Sequence, residues 1–187
     1  LTSDKRGFSF NQDSILDMRM APNKQRLTAK EIVNSWDKKS IKKILLEYGE
    51  EPYAGRVAHQ IIWSRKHSPI IRTDQLVEVI KKAMPPKYRF SREKHFATST
   101  FRALRMAVND ELKVLENGLK QAVQTVSPGG RIVVISFHSL EDRIVKNFFA
   151  GNDNLKILTS KPVIASEKEV ENNPKARSAK LRAAIKK

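Results

Sequence analysis

"GGRIVVISFHSLEDRIVKNFF", residues 129–149, decides how the fold is read. Ser127-Pro128-Gly129-Gly130 makes a tight turn. Arg131 to Phe137 is a continuous apolar run, the pattern of a strand buried on both faces. Ser139 can cap a helix that buries Ile144, Val145, Phe148 and Phe149 and stops at Gly151. A strand, a turn and a helix in that order belong to an α/β sheet, and ligands of such sheets sit beyond the carboxyl ends of the strands. Ser136, His138 and Ser139 are therefore candidate site residues. Each also has a purely structural reading: Ser139 as helix cap, His138 as a hydrogen-bonded turn residue. Glu141 and Asp142 suit the helix dipole without any catalytic role. The glycine pair precedes a strand instead of following one, so it reads as a helix-to-strand turn and not as a phosphate or cofactor cradle.

Upstream the text is helical. Residues 1–26 read as a loop. Thr28 and Glu31 form a capping box, with Leu27 and Ile32 as a hydrophobic staple. Four short helices follow between 27 and 84, ending at Pro85-Pro86, and Trp36 and Trp63 fall within their apolar patterns as core residues. Residues 87–97 read as basic and irregular. Leu104, Val108, Leu112, Leu115 and Leu119 keep one helical register, which predicts a single helix from about 98 to 125. Beyond residue 151, "LKILTSKPVIA" reads as a strand and "AKLRAAIK" as a last short one. The expected organisation is a loop over 1–26, a helical module over 27–97 and an α/β part over 98–187.

Composition narrows the partners. Lys and Arg number 36 against 20 Asp and Glu, a net charge of +16, and the last sixteen residues hold six bases and no acid. Such an excess points to a polyanion, with RNA foremost. In "NPKARSAKLR", Asn173, Arg177, Ser178, Lys180 and Arg182 are candidate RNA contacts, since arginine matches phosphate geometry and no acid compensates. The bland alternative is a solvated basic strand edge. The helical module, with Lys38, Lys39, Lys42 and Lys43 among its bases, is a plausible docking surface for RNA. The absence of cysteine excludes disulfides and thiolate metal sites and is compatible with a reducing cytoplasm. Four scattered histidines suggest no metal cluster. No apolar run approaches a membrane span. The first residue is Leu and the opening twenty residues show no period, which suggests a chain beginning inside a larger protein.

Four segments together carry a resemblance: "RGFSFNQDSILDMRM", "FATSTFRALRMAVNDEL", "PGGRIVVISFHSLEDRIVKNFF" and "NPKARSAKLRAA". In this order they resemble the ribosomal small-subunit methyltransferase H (MraW) family, over Arg6 to Ala184. The family pattern has Pro where Ile15 stands, His-Pro at His95-Phe96 and Phe-Gln at Phe101-Arg102. The resemblance implies the carboxy-terminal half of a doubly wound, Rossmann-like class I methyltransferase sheet carrying an inserted helical module. It implies methylation of N4 of a cytidine in the decoding region of small-subunit ribosomal RNA, with S-adenosylmethionine as cofactor and small-subunit RNA or the assembled subunit as partner. The family's glycine-rich cofactor loop would lie upstream of Leu1.

Methylating an exocyclic amine needs an unstacked cytosine, an aligned N4 and a hydrogen-bond acceptor beside it. In "LDMRM", Asp17 and Arg19 could line such a pocket or hold a phosphate. They could equally form a structural pair, Asp17 capping a turn and Arg19 bridging to it. A non-enzymatic RNA-binding module is the alternative reading; it explains the charge but not the Ser-Phe-His-Ser strand end. No nucleophile with a base can be assembled for a hydrolase.

Overall fold

The computed structural model describes residues 6–90, Phe90 by its backbone alone, and 95–187. The first five residues of the expected loop and the middle of the basic stretch over 87–97 lie outside the described residues. The chain divides into two compact units, Leu1–Asp110 and Glu111–Lys187.

The first unit is a helical core with a loop laid into it. Its helices are α1 Ala29–Ser35, α2 Lys38–Glu47, α3 Ala54–Arg65, α4 Thr73–Ala83, the short α5 Pro86–Phe90 and α6 Thr98–Asn109. The Thr28 hydroxyl accepts from the Glu31 amide at 3.2 Å and the Glu31 carboxylate accepts from the Thr28 amide at 2.8 Å, completing the expected capping box. Ile32, Ile41, Leu45, Ile61, Leu76, Ile80 and Leu104 are buried in one cluster, the inward faces that the helical period predicts. Leu16 and Met18 of the loop are buried in the same cluster. The loop is held there by backbone pairing: the Leu16 amide donates to Ile71 and the Thr73 amide to Ser14, both at 2.9 Å. Gly7 enters with φ +76, and a Cβ there would stand 2.5 Å from the Ile15 carbonyl oxygen.

Three sequence expectations change here. Trp63 is 51% exposed instead of buried; α3 turns its Val57, Ala58 and Ile61 face inward and leaves Trp63 on the other. The helix expected over 98–125 is broken: Asp110 is left-handed, φ 49, and α7 begins at Glu111 and runs to Thr125. Asp tolerates that conformation as a single residue, and hydrophobic periodicity is blind to it. The unit boundary accordingly falls after Asp110 and not at 97, because α6 buries Phe101, Leu104 and Val108 in the helical core.

The second unit holds α7, β1 Arg131–Ser136, α8 Ser139–Ala150, β2 Leu155–Ile157, β3 Val163–Ile164, α9 Glu167–Asn172, a 3-10 turn Pro174–Ser178 and β4 Lys180–Lys186. The strand expected over "LKILTSKPVIA" is two short ones. The segment expected as a short final strand is the seven-residue centre of the sheet. β1 pairs antiparallel along β4 from Arg131 opposite Ile185 to Ser136 opposite Lys180, and β2 and β3 pair antiparallel with β4 along its other edge. The α/β class stands, as a small antiparallel sheet. Leu119 and Val123 of α7 and Val145 and Phe149 of α8 cluster with Ile132, Leu155 and Ala184. The opposite face of β1 is uncovered: Val133, Ile135 and Phe137 are 55%, 54% and 55% exposed. The strand expected to be buried on both faces is thus buried on one. Among the described residues, no helix is long and apolar enough to cross a membrane.

Candidate functional site

In the first unit the structure brings Asp17 and Arg19 together. Arg19 grips the Asp17 carboxylate at both oxygens, Nε to Oδ1 at 2.7 Å and Nη2 to Oδ2 at 2.8 Å. The fork geometry is the strong form of this contact. Arg19 also donates through Nη1 to the Gln25 carbonyl at 2.9 Å, and its own carbonyl accepts from Arg6 at 2.8 Å. Met18 between them is left-handed, φ 59, and fully buried. A bulky residue keeps that conformation only where its surroundings impose it.

Asn109, at the end of α6, supplies the constraint. Its Nδ2 donates to the carbonyls of Met18 and Arg105, both at 2.7 Å, and its Oδ1 accepts from the Met20 amide at 2.8 Å and from Gln25 at 3.1 Å. It bridges 91 residues of sequence. Sequence reasoning missed it; the one available signal was a buried polar residue closing an apolar helix face in "RMAVND". The outcome is a rigid Asp–Arg pair with its side chains only 20% and 23% exposed. The hydrogen bonds from Arg19 hold the Asp17 carboxyl below the usual carboxylate range, against a smaller opposing effect of burial. Asp17 is therefore a fixed anionic acceptor and a weak base.

In the second unit Ser136, His138 and Ser139 sit at the carboxyl end of β1 and the start of α8. Ser136 is buried at 2% exposure. The cap of α8 is His138, not Ser139. His138 Nδ1 accepts from the Glu141 amide at 3.3 Å, and the Glu141 carboxylate accepts from the Phe137 amide at 2.9 Å. An extended His138 reaches the first-turn amides that Ser139, already inside the helix, does not. Burial raises the Glu141 pKa, but bonding from the His138 ring and the Phe137 amide outweighs it and leaves the carboxyl below its ordinary value.

Glu111 of α7 joins this pair: Glu111, His138 and Glu141 offer ligand-type atoms within 4.8 Å of one another. His138 Nε2 lies 3.3 Å from Glu141 Oε1, an ion-pair distance without hydrogen-bond geometry. With Nδ1 used by the cap, Nε2 is the ring atom that faces the carboxylates.

The basic segment divides. Asn173, Arg177 and Ser178 are exposed on and beside the 3-10 turn. The Lys180 side chain is 40% exposed, with Nζ 3.8 Å from Asp142. Arg182, expected on an RNA phosphate, is buried at 7% exposure. Its guanidinium meets Asp142 twice, Nε to Oδ1 at 2.7 Å and Nη2 to Oδ2 at 3.1 Å. It ties β4 to α8 across 40 residues of sequence, and burial removes it from any solvent-borne phosphate. The Arg182 contact, first among several, holds the Asp142 carboxyl below its ordinary range.

The described residues do not fit an S-adenosylmethionine cradle. Gly129, φ +79, donates its amide to the Lys186 carbonyl at 2.8 Å, and a Cβ on Gly130 would stand 2.9 Å from the Ser127 carbonyl oxygen. Both glycines are consumed by the turn into β1, as the sequence implies.

Comparison with known proteins agrees with the four-segment resemblance. A chain named ribosomal RNA small subunit methyltransferase H from Kosmotoga olearia is 54% identical over 187 residues, covering 98% of this chain and 61% of the relative. The namesake from Pseudothermotoga lettingae is 52% identical over 188 residues, with 100% and 63% covered, and that from Trichormus variabilis 49% over 187, with 100% and 60%. The chain thus spans about three fifths of the length of the curated relatives it matches. The mixed α/β fold with its small antiparallel sheet is consistent with the carboxy-terminal part of a class I methyltransferase. The sequence pattern of the MraW methylase family matches from residue 1 to residue 187, the segments with the Asp17–Arg19 loop and the His138 cap included, and the chain belongs to that family.

Proposed function

We propose that this chain is the RNA-handling part of an enzyme that methylates small-subunit ribosomal RNA, at N4 of a cytidine in the decoding region, with S-adenosylmethionine as methyl donor. The observation that carries the reading is the family match along the whole chain, with relatives at about half identity named for that RNA and that reaction class. The geometry supplies roles. Cytosine presents an amine that is flat and conjugated with its ring. An acceptor fixed beside N4 orients an N–H and favours the pyramidal amine that can attack a methyl group. Asp17 is such an acceptor, kept anionic and immobile by Arg19. As a weak base it orients the amine and leaves the proton to pass to water. Ser136, His138 and Ser139 shape the carboxyl end of β1, where sheets of this class receive ligands. Asn173, Arg177, Ser178 and Lys180 meet the RNA backbone, and Arg182 acts behind them by fixing β4.

The test is a fusion of this chain to the portion of the Kosmotoga relative that it does not span. Small subunits lacking the modification are incubated with labelled methyl donor and the RNA is digested for mass spectrometry. N4-methylcytidine from the fusion and none from the chain alone is the expected result. A fusion that folds and binds the donor but methylates a different base overturns the assignment. So does a fusion in which Asp17→Ala keeps full turnover.

A further inference from the structure

The α3–α4 face of the helical unit carries a feature that the methyl-transfer reading does not use. Trp63, expected in the core, stands half exposed, and His67 one turn on packs against it with ring centroids 4.4 Å apart at 42°. His67 Nδ1 lies 3.1 Å from the Trp63 carbonyl oxygen, which steadies the pair. The two rings wall a cavity of about 390 Å³, lined on its apolar side by Pro69, Ile70 and Val79 and on its polar side by Ser64, Ser68, Gln75, Glu78 and Lys82. A second cavity of about 380 Å³ adjoins it, lined by Arg56, Lys81, Lys82 and Arg89. Glu78 and Lys82 line both. Glu78 is paired with Lys81 at 3.0 Å, which offsets its charge and leaves the second cavity cationic.

A largely apolar slot with an exposed indole beside a cationic basin fits one unit of one polymer: the flat base of an unpaired nucleotide against Trp63, its edge within reach of polar side chains, and its phosphate beside Arg56 and Lys82. Base–aromatic stacking plus a basic track is the general mode of single-strand binding. The +16 charge of the chain draws the same polyanion toward it. A peptide partner would need acidic residues over the basin and would have no use for the flat slot. We propose that the α3–α4 face is a single-stranded RNA site, stacking one unpaired base on Trp63, separate from the residues assigned to methyl transfer. It rests on the RNA part of the function above and not on the methylation.

The test uses the chain as it stands. Binding of an unstructured RNA octamer is measured against salt for the unsubstituted chain, Trp63→Ala, Trp63→Phe and Arg56→Gln/Lys82→Gln, with inorganic polyphosphate as a charge-only ligand and circular dichroism to confirm folding. Trp63→Ala is expected to weaken the octamer roughly 5- to 100-fold, the loss of one stack. Its salt slope and its polyphosphate affinity stay unchanged, and Trp63→Phe recovers most of the loss. Arg56→Gln/Lys82→Gln is expected to lower the salt slope by about 1.4, roughly 0.7 for each charge on a single strand. Octamer affinity unchanged in Trp63→Ala overturns the stack and leaves the methyltransferase reading standing. A parallel loss of polyphosphate binding overturns it too, since that ligand has no base. An unsubstituted chain that binds neither ligand overturns both the stack and the RNA contacts assigned above.

Discussion

Replacing Asp142 by alanine should nearly undo the second unit. Arg182 is 7% exposed, and its guanidinium reaches Asp142 through two hydrogen bonds of 2.7 and 3.1 Å. Lys180, 3.8 Å from the same carboxylate and 40% exposed, cannot replace that partner and adds little. Removing one side of a buried pair leaves the other charge desolvated and unmatched, a cost of about 3–5 kcal/mol. A unit the size of Glu111–Lys187 has a total stability of roughly 4–12 kcal/mol. The loss is therefore a large fraction of the whole. Both tryptophans lie in the first unit, so indole emission does not report on it. Hydrogen exchange with mass spectrometry on peptides covering β1, α8 and β4 does, with α1–α4 peptides as internal control. Exchange in β4 should accelerate by two or more orders of magnitude, tenfold for each 1.4 kcal/mol. Asp142→Leu/Arg182→Met should recover most of the loss, because an apolar pair can replace a buried ion pair. The pH sign follows from the lowered Asp142 pKa. The pair's contribution is complete above the unfolded aspartate value near 3.9 and is lost as pH falls through the lower folded value. An Asp142→Ala cost under about 1 kcal/mol, or a double variant no better than the single, refutes the buried-pair argument.

Three further outcomes are expected. Asn109→Ala removes the donor to the Met18 and Arg105 carbonyls and the acceptor of the Met20 amide; it should cost about 2 kcal/mol in urea unfolding followed by tryptophan emission, with faster exchange of the 17–20 amides. Gly7→Ala forces a Cβ to 2.5 Å from the Ile15 carbonyl oxygen at φ +76 and should cost about 2 kcal/mol or more in the same assay, whereas Gly118→Ala in the second unit, with nothing within 4 Å of its Cβ and a helical backbone, should leave hydrogen exchange of the α7 peptides unchanged or slowed. Arg177→Gln should lower the salt slope of RNA binding by about one, while leaving urea stability unchanged because the side chain is exposed.

What could be read in the sequence was local. Thr28 and Glu31 stand three apart and announce their box; Pro85-Pro86 and Gly151 announce their stops. The strand Arg131–Ser136 and the helix after it followed from pattern alone. What could not be read came from distance or from single dihedrals. Asp110 breaks a helix without disturbing its apolar register. His138 takes the cap that Ser139 advertises, because a ring with an acceptor nitrogen reaches as far as a hydroxyl. Arg182 looks like an RNA contact until Asp142, 40 residues away, is seen to hold it. Asn109 matters only because the fold returns it to Met18. The Asp17–Arg19 loop was legible as a charged pair and not as a rigid one.

The bare face of β1 bears on how such measurements are made. β1 pairs on one side only among the described residues, and Val133, Ile135 and Phe137 face outward beside that open edge. An unpaired strand edge next to apolar side chains is a template for a second copy. The net charge of +16 keeps copies apart only while their fields overlap. Added salt shortens that range to about 8 Å at physiological strength. The ions that loosen RNA are therefore also expected to favour strand-to-strand pairing between copies. Light scattering recorded at each point of a salt titration separates released RNA from the onset of association.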